Sequence, residues 1–465
     1  MFYRPTGKAA AADVIPFYKD GEFYLFYLKD FRDIENEGEG VPWYLIKTKD
    51  FVDFTDCGEI LQRGTKDDQD LFVFTGSVIE NNGKYYLFYT GHNPHKREQG
   101  LPEQAVMLAV SDDCIHFSKT DLMYFAPEGY EMHDWRDPFV YKDGDKFKML
   151  LAARKKEGPF LKRGLTVQCE SDDLIHWTVE RDFYAPDNYF THECPDLFKM
   201  GDWWYLVFSE FSDRTATRYR MAKSLDSEWI TPPVDTFDAR SFYAAKTVSD
   251  GNKRYVIGWN PTRENDEDYK TWQWGGTVVA HELVQNEDGT LCVRCPKAVE
   301  EEYSKEIDVA PTAVVGNVLT ENGVYTLKKG GYSYVLFNDL PQNCKIHCDI
   351  RLDEKGKDFG ISLRMDSEYN LGYYVKIDPV FNRMCFDRNF RPGDNYYMVE
   401  SERFLPLDDR KWHAMDIYIQ GTIAEVYIDG VAMSERMYDY TSGGFGLYVN
   451  ECGASFKNIK LTTEK

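Results

Sequence analysis

Apolar and polar positions along this chain fall into a repeated hairpin text. Five times it writes an apolar strand, a short polar turn closed by glycine, and a second strand dense in aromatics. The copies read DVIPFYKDGEFYLFYL from Asp13, TGSVIENNGKYYLFYTG from Thr75, RDPFVYKDGDKFKMLLAA from Arg136, ECPDLFKMGDWWYLVFSE from Glu193 and YAAKTVSDGNKRYVIGW from Tyr243. Their turn glycines are Gly21, Gly83, Gly144, Gly201 and Gly251. Alternating strands joined through a tight glycine turn predict a β-hairpin. A second hairpin text follows each of the first three: IKTKDFVDFTDC from Ile46, AVSDDCIHFSKT from Ala109 and CESDDLIHWTVE from Cys169. AKSLDSEWITPP, from Ala222, is a weaker copy, and the last repeat runs on through TVVAHELVQNEDGTLCVRC from Thr277. Two hairpins supply four strands, the content of one propeller blade, and a fixed-period repeat implies a radial or stacked architecture. Five copies predict five blades. No long stretch shows the 3.6-residue period of a helix, so the expected class is all-β.

The repeat breaks in the acidic stretch PKAVEEEYSKEIDVAP, from Pro296 to Pro311. Beyond it, strands such as KIHCDIRLD, FGISLRMD, LGYYVKID, HAMDIYIQG and IAEVYIDG alternate apolar and polar positions between turns such as Asp429-Gly430. That pattern predicts an antiparallel sandwich of about 150 residues. The domain expectation is a propeller over 1–298, a linker over 299–310 and a β-sandwich over 311–465. A chain of 465 residues is also too long for one ordinary core.

Charge narrows the partners. The net charge of −23 should repel phosphate backbones and anionic membranes, so neither nucleic acid nor a membrane surface is expected. Aromatic residues at 15% suit strands and also suit carbohydrate, because a sugar's C–H face packs on an aromatic ring. The N-terminal text MFYRPTGKAAAADVIPF lacks the apolar run of a signal peptide, and no stretch approaches a membrane span. A cytoplasmic protein with reduced thiols is therefore expected from its ten cysteines. The close pairs Cys292/Cys295 and Cys344/Cys348 lie in strand-like text, without the knuckle turns of a zinc site. Neither a metal nor a cofactor is expected.

The repeat also locates the chemistry. Eight residues before the turn glycine stand Asp13 in the first copy, Arg136 with Asp137 beside it in the third, and Glu193 in the fourth. First strands of propeller blades line the central channel, so acids at one repeat position converge on one site. Glycosidic bonds are commonly cleaved by two carboxyl groups, one acting as nucleophile or base and the other as acid. Clustered, partly buried carboxylates have raised pKa values, which such an acid needs. The structural alternative is that each acid pairs with a nearby arginine or caps a turn. Three acids in register favour function over that alternative. A hard-cation site is the other outlet for clustered carboxylates, but it usually uses one ligand-dense loop rather than single acids from separate strands.

These residues also carry a resemblance. Arg136-Asp137-Pro138 and Glu193-Cys194-Pro195 resemble two motifs of glycoside hydrolase family 32, which contains invertases, inulinases, levanases and sucrose-phosphate hydrolases. Phe74-Thr75-Gly76-Ser77 is similar to that family's F-S-G-S segment, and Ser241-Phe242-Tyr243-Ala244-Ala245 to its F-Y-A segment. A five-bladed propeller followed by a lectin-like sandwich matches too. The resemblance implies Asp13 as nucleophile, Glu193 as general acid and then base, and Asp137 as a transition-state stabiliser that hydrogen-bonds sugar hydroxyls. It implies retention through a covalent glycosyl-enzyme, which needs the two reacting carboxyls roughly 5–5.5 Å apart. Arg136, Phe74, Thr75, Tyr243, Trp43 and Trp274 would shape the sugar pocket, although Trp43 and Trp274 serve equally well as core aromatics. Strand alternation turns Cys194 away from Glu193, as a packing residue rather than a reactive thiol.

The first motif departs from the family. Where it writes W-M-N-D-P-N-G, this chain writes Ala11-Ala12-Asp13-Val14-Ile15-Pro16-Phe17, and Leu28 replaces a glutamine after the following strand. Both missing groups normally help to hold the terminal sugar. The reading that results is a retaining, exo-acting β-fructofuranosidase on a small saccharide: sucrose, sucrose phosphate or short fructo-oligosaccharides. Alternatives are a glycosidase for another furanoside or pentoside, a fructosyltransferase, and a propeller that binds carbohydrate without catalysis. The sandwich either binds sugar through surface aromatics or braces the propeller and mediates dimerisation. The oligomeric state is open, a homodimer included.

Overall fold

The computed structural model describes residues 2–389 and 401–465. It is built almost wholly of strands and divides into two compact units. The first comprises 1–236, 242–261 and 274–291; the second comprises 237–241, 262–273 and 292–465.

The first unit is a five-bladed propeller. Its inner strands are Ala10–Lys19, Phe72–Asn81, Tyr130–Asp143, Glu193–Met200 and Tyr243–Ser249. Each packs against the next, and the fifth packs against the first, so the strands form a closed ring. Blades one, two and three are four-stranded antiparallel meanders in sequence order. Blade four has three full strands, and its weaker fourth text survives as isolated bridges, Met221 to Ile230 and Arg218 to Thr236. The adjacent Pro232 and Pro233 fit this loss, because proline donates no ladder hydrogen bond. N-terminal residues close the ring: Phe2 and Tyr3 pair with Val279 and Val278 of the last blade, and Ala11 pairs with Gly276.

The Ser-Asp-Asp hairpin text has a structural purpose. In blades two and three, Ser111 and Ser171 each accept two backbone N–H bonds through Oγ. Asp113 and Asp173 each take two more on Oδ1. Cys114 and Leu174 take φ of 69° and 68°, the left-handed residue around which each turn closes. Side-chain caps of this kind replace the ladder where the chain reverses.

The second unit is a sandwich of an eight-stranded and a seven-stranded antiparallel sheet. In the strand Asn343–Glu354, Cys344, Ile346, Cys348, Ile350 and Leu352 are buried in strict alternation. They share one core with Phe359, Ile361, Val375 and Val449 of the other sheet. This is the period-two burial that the alternating text predicts. The segment 299–310, read from sequence as a linker, carries the end of a short helix, Lys297–Glu302, and a strand, Tyr303–Ile307, that pairs with Gly453–Glu464. Among the described residues no helix is long and apolar enough to cross a membrane.

Candidate active site

The site is made by one irregularity repeated five times. Every inner strand slips register against its partner, between Ala12 and Ile15, Phe74 and Gly76, Arg136 and Phe139, Glu193 and Asp196, and Tyr243 and Lys246. A β-bulge bends its strand and re-aims a side chain. In four blades a non-glycine residue sits in the left-handed region at this point: Asp13 (φ 31°), Asp137 (59°), Cys194 (52°) and Ala244 (50°). Such backbone costs roughly 1–3 kcal/mol each and persists where the surroundings enforce it. Blade two bulges at Thr75 without a left-handed residue, and the glycine that follows, Gly76, allows a close approach: a Cβ there would stand 1.8 Å from the carbonyl oxygen of Phe88.

Bulging frees backbone N–H groups, and side chains of neighbouring blades take them up. Asp137 N–H donates to Thr90 Oγ1 (2.7 Å), Val140 N–H to Ser77 Oγ (2.9 Å) and Ala245 N–H to Thr217 Oγ1 (3.2 Å). Cys194 N–H donates to Asp137 Oδ2 (2.9 Å). The backbone distortion is thus tied into the ring, which fixes where the acids point.

Asp13, Asp137 and Glu193 come together with Arg136 in one hydrogen-bonded cluster. Asp13 Oδ2 accepts from the Thr75 hydroxyl (2.5 Å), and Oδ1 accepts from the Trp259 indole N–H (3.0 Å). Glu193 Oε1 receives Arg136 Nη2 (3.1 Å), and Oε2 receives the Tyr243 hydroxyl (2.5 Å). Arg136 is itself held by Asp134 (2.8 Å) and Thr191 (3.1 Å), with its Nε 3.8 Å from Asp137 Oδ2. Asp137 is buried, whereas Asp13 and Glu193 keep an edge open to solvent.

Burial dominates the electrostatics. It pushes the Asp13 carboxyl up to about 6, against the hydrogen bonds from Thr75 and Trp259, and the Glu193 charge adds to the rise. It pushes Asp137 up to about 7; Arg136 opposes this and Glu193 reinforces it. Burial alone would depress the Arg136 guanidinium, but Glu193, Asp134 and Asp137 outweigh it and hold the group charged. Burial and the Glu193 charge raise the Tyr243 phenol far above its ordinary value, so it stays a donor. Carboxyls raised by burial beside a fixed cation, in a closed ring of strands, are the elements of acid–base and nucleophilic chemistry.

The remaining sequence candidates divide. Thr75 and Tyr243 hydrogen-bond the acids directly, as above. Phe74 stacks on His92 (centroids 4.9 Å) and meets Trp274 (5.8 Å), which is exposed. Trp43 lies in the core between blades one and two, fully buried, with its indole N–H on the carbonyls of Val73 (3.0 Å) and Phe74 (3.2 Å). It supports the strand that carries Phe74 and offers no face to a ligand. Strand alternation does not hold at Cys194, because the bulge falls there. Its buried Sγ lies 3.9 Å from both Asp13 Oδ2 and Thr75 Oγ1. Burial, with Asp13 and Asp137 adding, raises the thiol well above its ordinary value.

Sequence reasoning missed Trp259, Thr90 and His92. His92 is pushed down to about 4, by burial first and by Arg136 and Arg97 next. A signal for the first two existed. In every blade the residue preceding the slip pairs with the residue sixteen further on: Ala12 with Leu28, Phe74 with Thr90, Arg136 with Ala152, Glu193 with Ser209 and Tyr243 with Trp259.

The model for the glycosyl hydrolases family 32 N-terminal domain matches residues 15–294, more than half of the chain. The chain belongs to glycosyl hydrolase family 32. It is therefore a glycoside hydrolase, an all-β enzyme of a propeller followed by a sandwich. A 3-keto-alpha-glucoside-1,2-lyase-like domain model matches residues 246–462 as well. A sucrose-6-phosphate hydrolase of Escherichia coli is 27% identical over 81% of this chain and 76% of its own length. The levanbiose-producing levanase of Bacillus subtilis is 25% identical over 96% of this chain and 87% of its own. In fold, the crystal structure of fructan 1-exohydrolase IIa from Cichorium intybus superposes with a TM-score of 0.76 at 15% identity, covering 100% of this chain and 97% of that one.

The match to family 32 begins at Ile15, two residues after Asp13 and inside the altered first motif. There the structure gives the alteration a shape. Ala12 and Leu28 are direct cross-strand partners, Leu28 pairs onward with Trp43, and all three are fully buried in one core. The two missing polar groups have been replaced together, by an apolar pair that packs.

Proposed function

We propose that the cluster is the catalytic centre of a retaining, exo-acting β-fructofuranosidase that works on sucrose, sucrose phosphate or short fructo-oligosaccharides by double displacement. One observation carries the reading: three acids from three blades stand at matching bulges of the ring, and Arg136 and Tyr243 grip Glu193. Asp13, ionised, attacks the anomeric carbon. Thr75 and Trp259 hold both of its oxygens, so that one lone pair is aimed and the developing bond costs little reorganisation. Glu193 protonates the leaving oxygen, then takes a proton from the water that cleaves the glycosyl-enzyme. Arg136 and Tyr243 fix its orientation between the two steps. Asp137, held by the Cys194 N–H, accepts hydrogen bonds from sugar hydroxyls as positive charge develops on the ring. Phe74 and Trp274 form an aromatic wall for the sugar's apolar face. Sucrose 6-phosphate, levan and fructan are the substrates that the relatives' names specify. A cytoplasmic location, with small imported saccharides as substrates, belongs to the same reading.

The Ala12–Leu28 pair favours a second reading, in which the same chemistry acts on another furanoside or pentoside. A site without a hydrogen-bonding partner shifts its preference among related sugars. Purified protein incubated with sucrose, sucrose 6-phosphate, 1-kestose and a short levan oligosaccharide, beside an Asp13→Asn control, separates the two. Free fructose that disappears in the control supports the fructosidase and ranks its substrates. No release from any of the four, with release from an arabinofuranoside or xyloside, selects the second reading.

A further inference from the structure

The outer face of the seven-stranded sheet is unusual for a sandwich, where the solvent side ordinarily carries scattered polar residues. Here it is hollow and lined with tyrosine. Tyr334 and Tyr369 stack face to face (3.8 Å, 11°), and Tyr369 leans over Gly446, where its ring would meet any Cβ. Tyr332 lies parallel to Tyr448 (5.9 Å), and Tyr374 meets Tyr448 edge-on (5.0 Å). The hollow beside these rings has a volume of about 340 Å³, within the range of small-ligand sites.

Polar groups converge on it. Asp358 is nearly buried at its floor and accepts from Asn450 Nδ2 (3.2 Å). The Tyr448 hydroxyl is buried and lies beside that carboxylate. Lys376, anchored on Asp387 (2.7 Å), and the Tyr332–Tyr374 hydroxyl pair (3.3 Å) complete the rim. Packing alone would be served by phenylalanine or leucine. Four phenols, a carboxylate, two amides and two lysines around a cavity instead offer ring faces for C–H groups and paired acceptors and donors for vicinal hydroxyls.

We propose that this hollow is a second carbohydrate-binding site, one that takes a neutral mono- or disaccharide unit and tethers saccharide to the sandwich independently of the propeller site. Tyr332, 42% exposed, supplies the stacking face at the mouth. Asp358 and Asn450 take adjacent hydroxyls below it. The proposal stands whether or not the propeller site prefers fructose.

The test uses the full chain carrying Glu193→Gln, which removes turnover. Sucrose, 1-kestose, maltotriose and xylotriose are titrated calorimetrically into this protein and into the same protein with Tyr332→Ala or Asp358→Ala. A sugar that binds the Glu193→Gln protein with one event weakened at least tenfold in both added variants supports the site. Melting temperatures of both added variants equal to that of the Glu193→Gln protein show that they are folded. Binding identical in all three proteins, or no event with any of the four sugars beyond the one ascribed to the propeller, overturns the proposal. A change in sedimentation mass with Tyr332→Ala, without any change in sugar binding, also overturns it and assigns the face to self-association. Failure of the fructosidase reading would instead show as no turnover of sucrose or 1-kestose by the unsubstituted chain, with the sandwich event intact.

Discussion

Asp137 offers a direct test of the electrostatics, through stability rather than turnover. Its carboxyl is pushed up to about 7 in the folded protein, against an ordinary value of 3.8. The folded state therefore binds this proton more tightly than the unfolded chain does. For a raised acid, the stability is fully present below the unfolded value and is lost as pH rises from about 4 to about 7. One pKa unit corresponds to about 1.4 kcal/mol, so the ionised form costs the folded state about 4 kcal/mol above pH 7 and only about 1 kcal/mol at pH 4.5. Asp137→Asn removes the titration but keeps an oxygen that can accept the Cys194 N–H. The variant should thus gain about 3 kcal/mol on the parent between pH 4.5 and pH 8, while losing catalysis. Chemical denaturation followed by indole fluorescence at both pH values gives the number. Comparing across pH cancels any fixed cost of the amide. An equal difference between the two proteins at both pH values would refute the reasoning, because it would mean that Asp137 ionises in the fold as readily as in water.

Other expectations follow from the same geometry. Glu193→Gln should lower kcat by about 10²–10⁴-fold on sugars with a poor leaving group, with KM little changed, as steady-state kinetics will show. The acid limb of kcat/KM should lie near pH 6, with activity rising as Asp13 ionises. Trp259→Phe removes a donor to the charged carboxylate and should move that limb upward by about one pH unit, and Thr75→Val should act in the same direction; unmoved pH profiles would exclude Asp13 as the titrating group. Gly76→Ala places a Cβ against backbone that cannot yield, so it should cost about 3 kcal/mol or more, read as a fall in melting temperature.

Much of the propeller was legible because its information is periodic. Hairpin text, turn glycines and the second, Ser-Asp-Asp hairpin each recur, and a repeat corrects its own errors. The weak fourth copy shows the limit: its prolines reduce a strand to two bridges, and the text alone does not say how much of a ladder survives. In the sandwich, alternation gave both faces of Asn343–Glu354, but the tyrosine face of the opposite sheet was not legible. Tyr332, Tyr374 and Tyr448 come from three separate strands, and only the strand order brings them together. Trp43 and Trp274 illustrate the same limit at the site. Both are tryptophans near motif residues, yet one is sealed beneath Phe74 and the other is open beside it, a distinction set by depth rather than by spacing.

Counting back from the glycines found the acids, but it could not show what holds them. The cause is the bulge. Alternation assigns each residue of a strand to one face, and a residue at positive φ breaks that rule where it matters, as Cys194 demonstrates. Once the bulge is recognised, the constant pairing across each hairpin restores the information. The residue opposite the slip is Trp259 in blade five, which places an indole N–H on Asp13, and Leu28 in blade one, which places only methyl groups opposite Ala12. The first motif has thus lost polar groups on its own blade while the nucleophile candidate keeps two donors from blades two and five. Hydrogen bonds to Asp13 act on its charge and aim, and these survive. Groups that would read the sugar's own hydroxyls from blade one do not. The altered motif therefore bears on which glycone is held and leaves the means of attack in place, which is why the first measurement must vary the sugar rather than the acid.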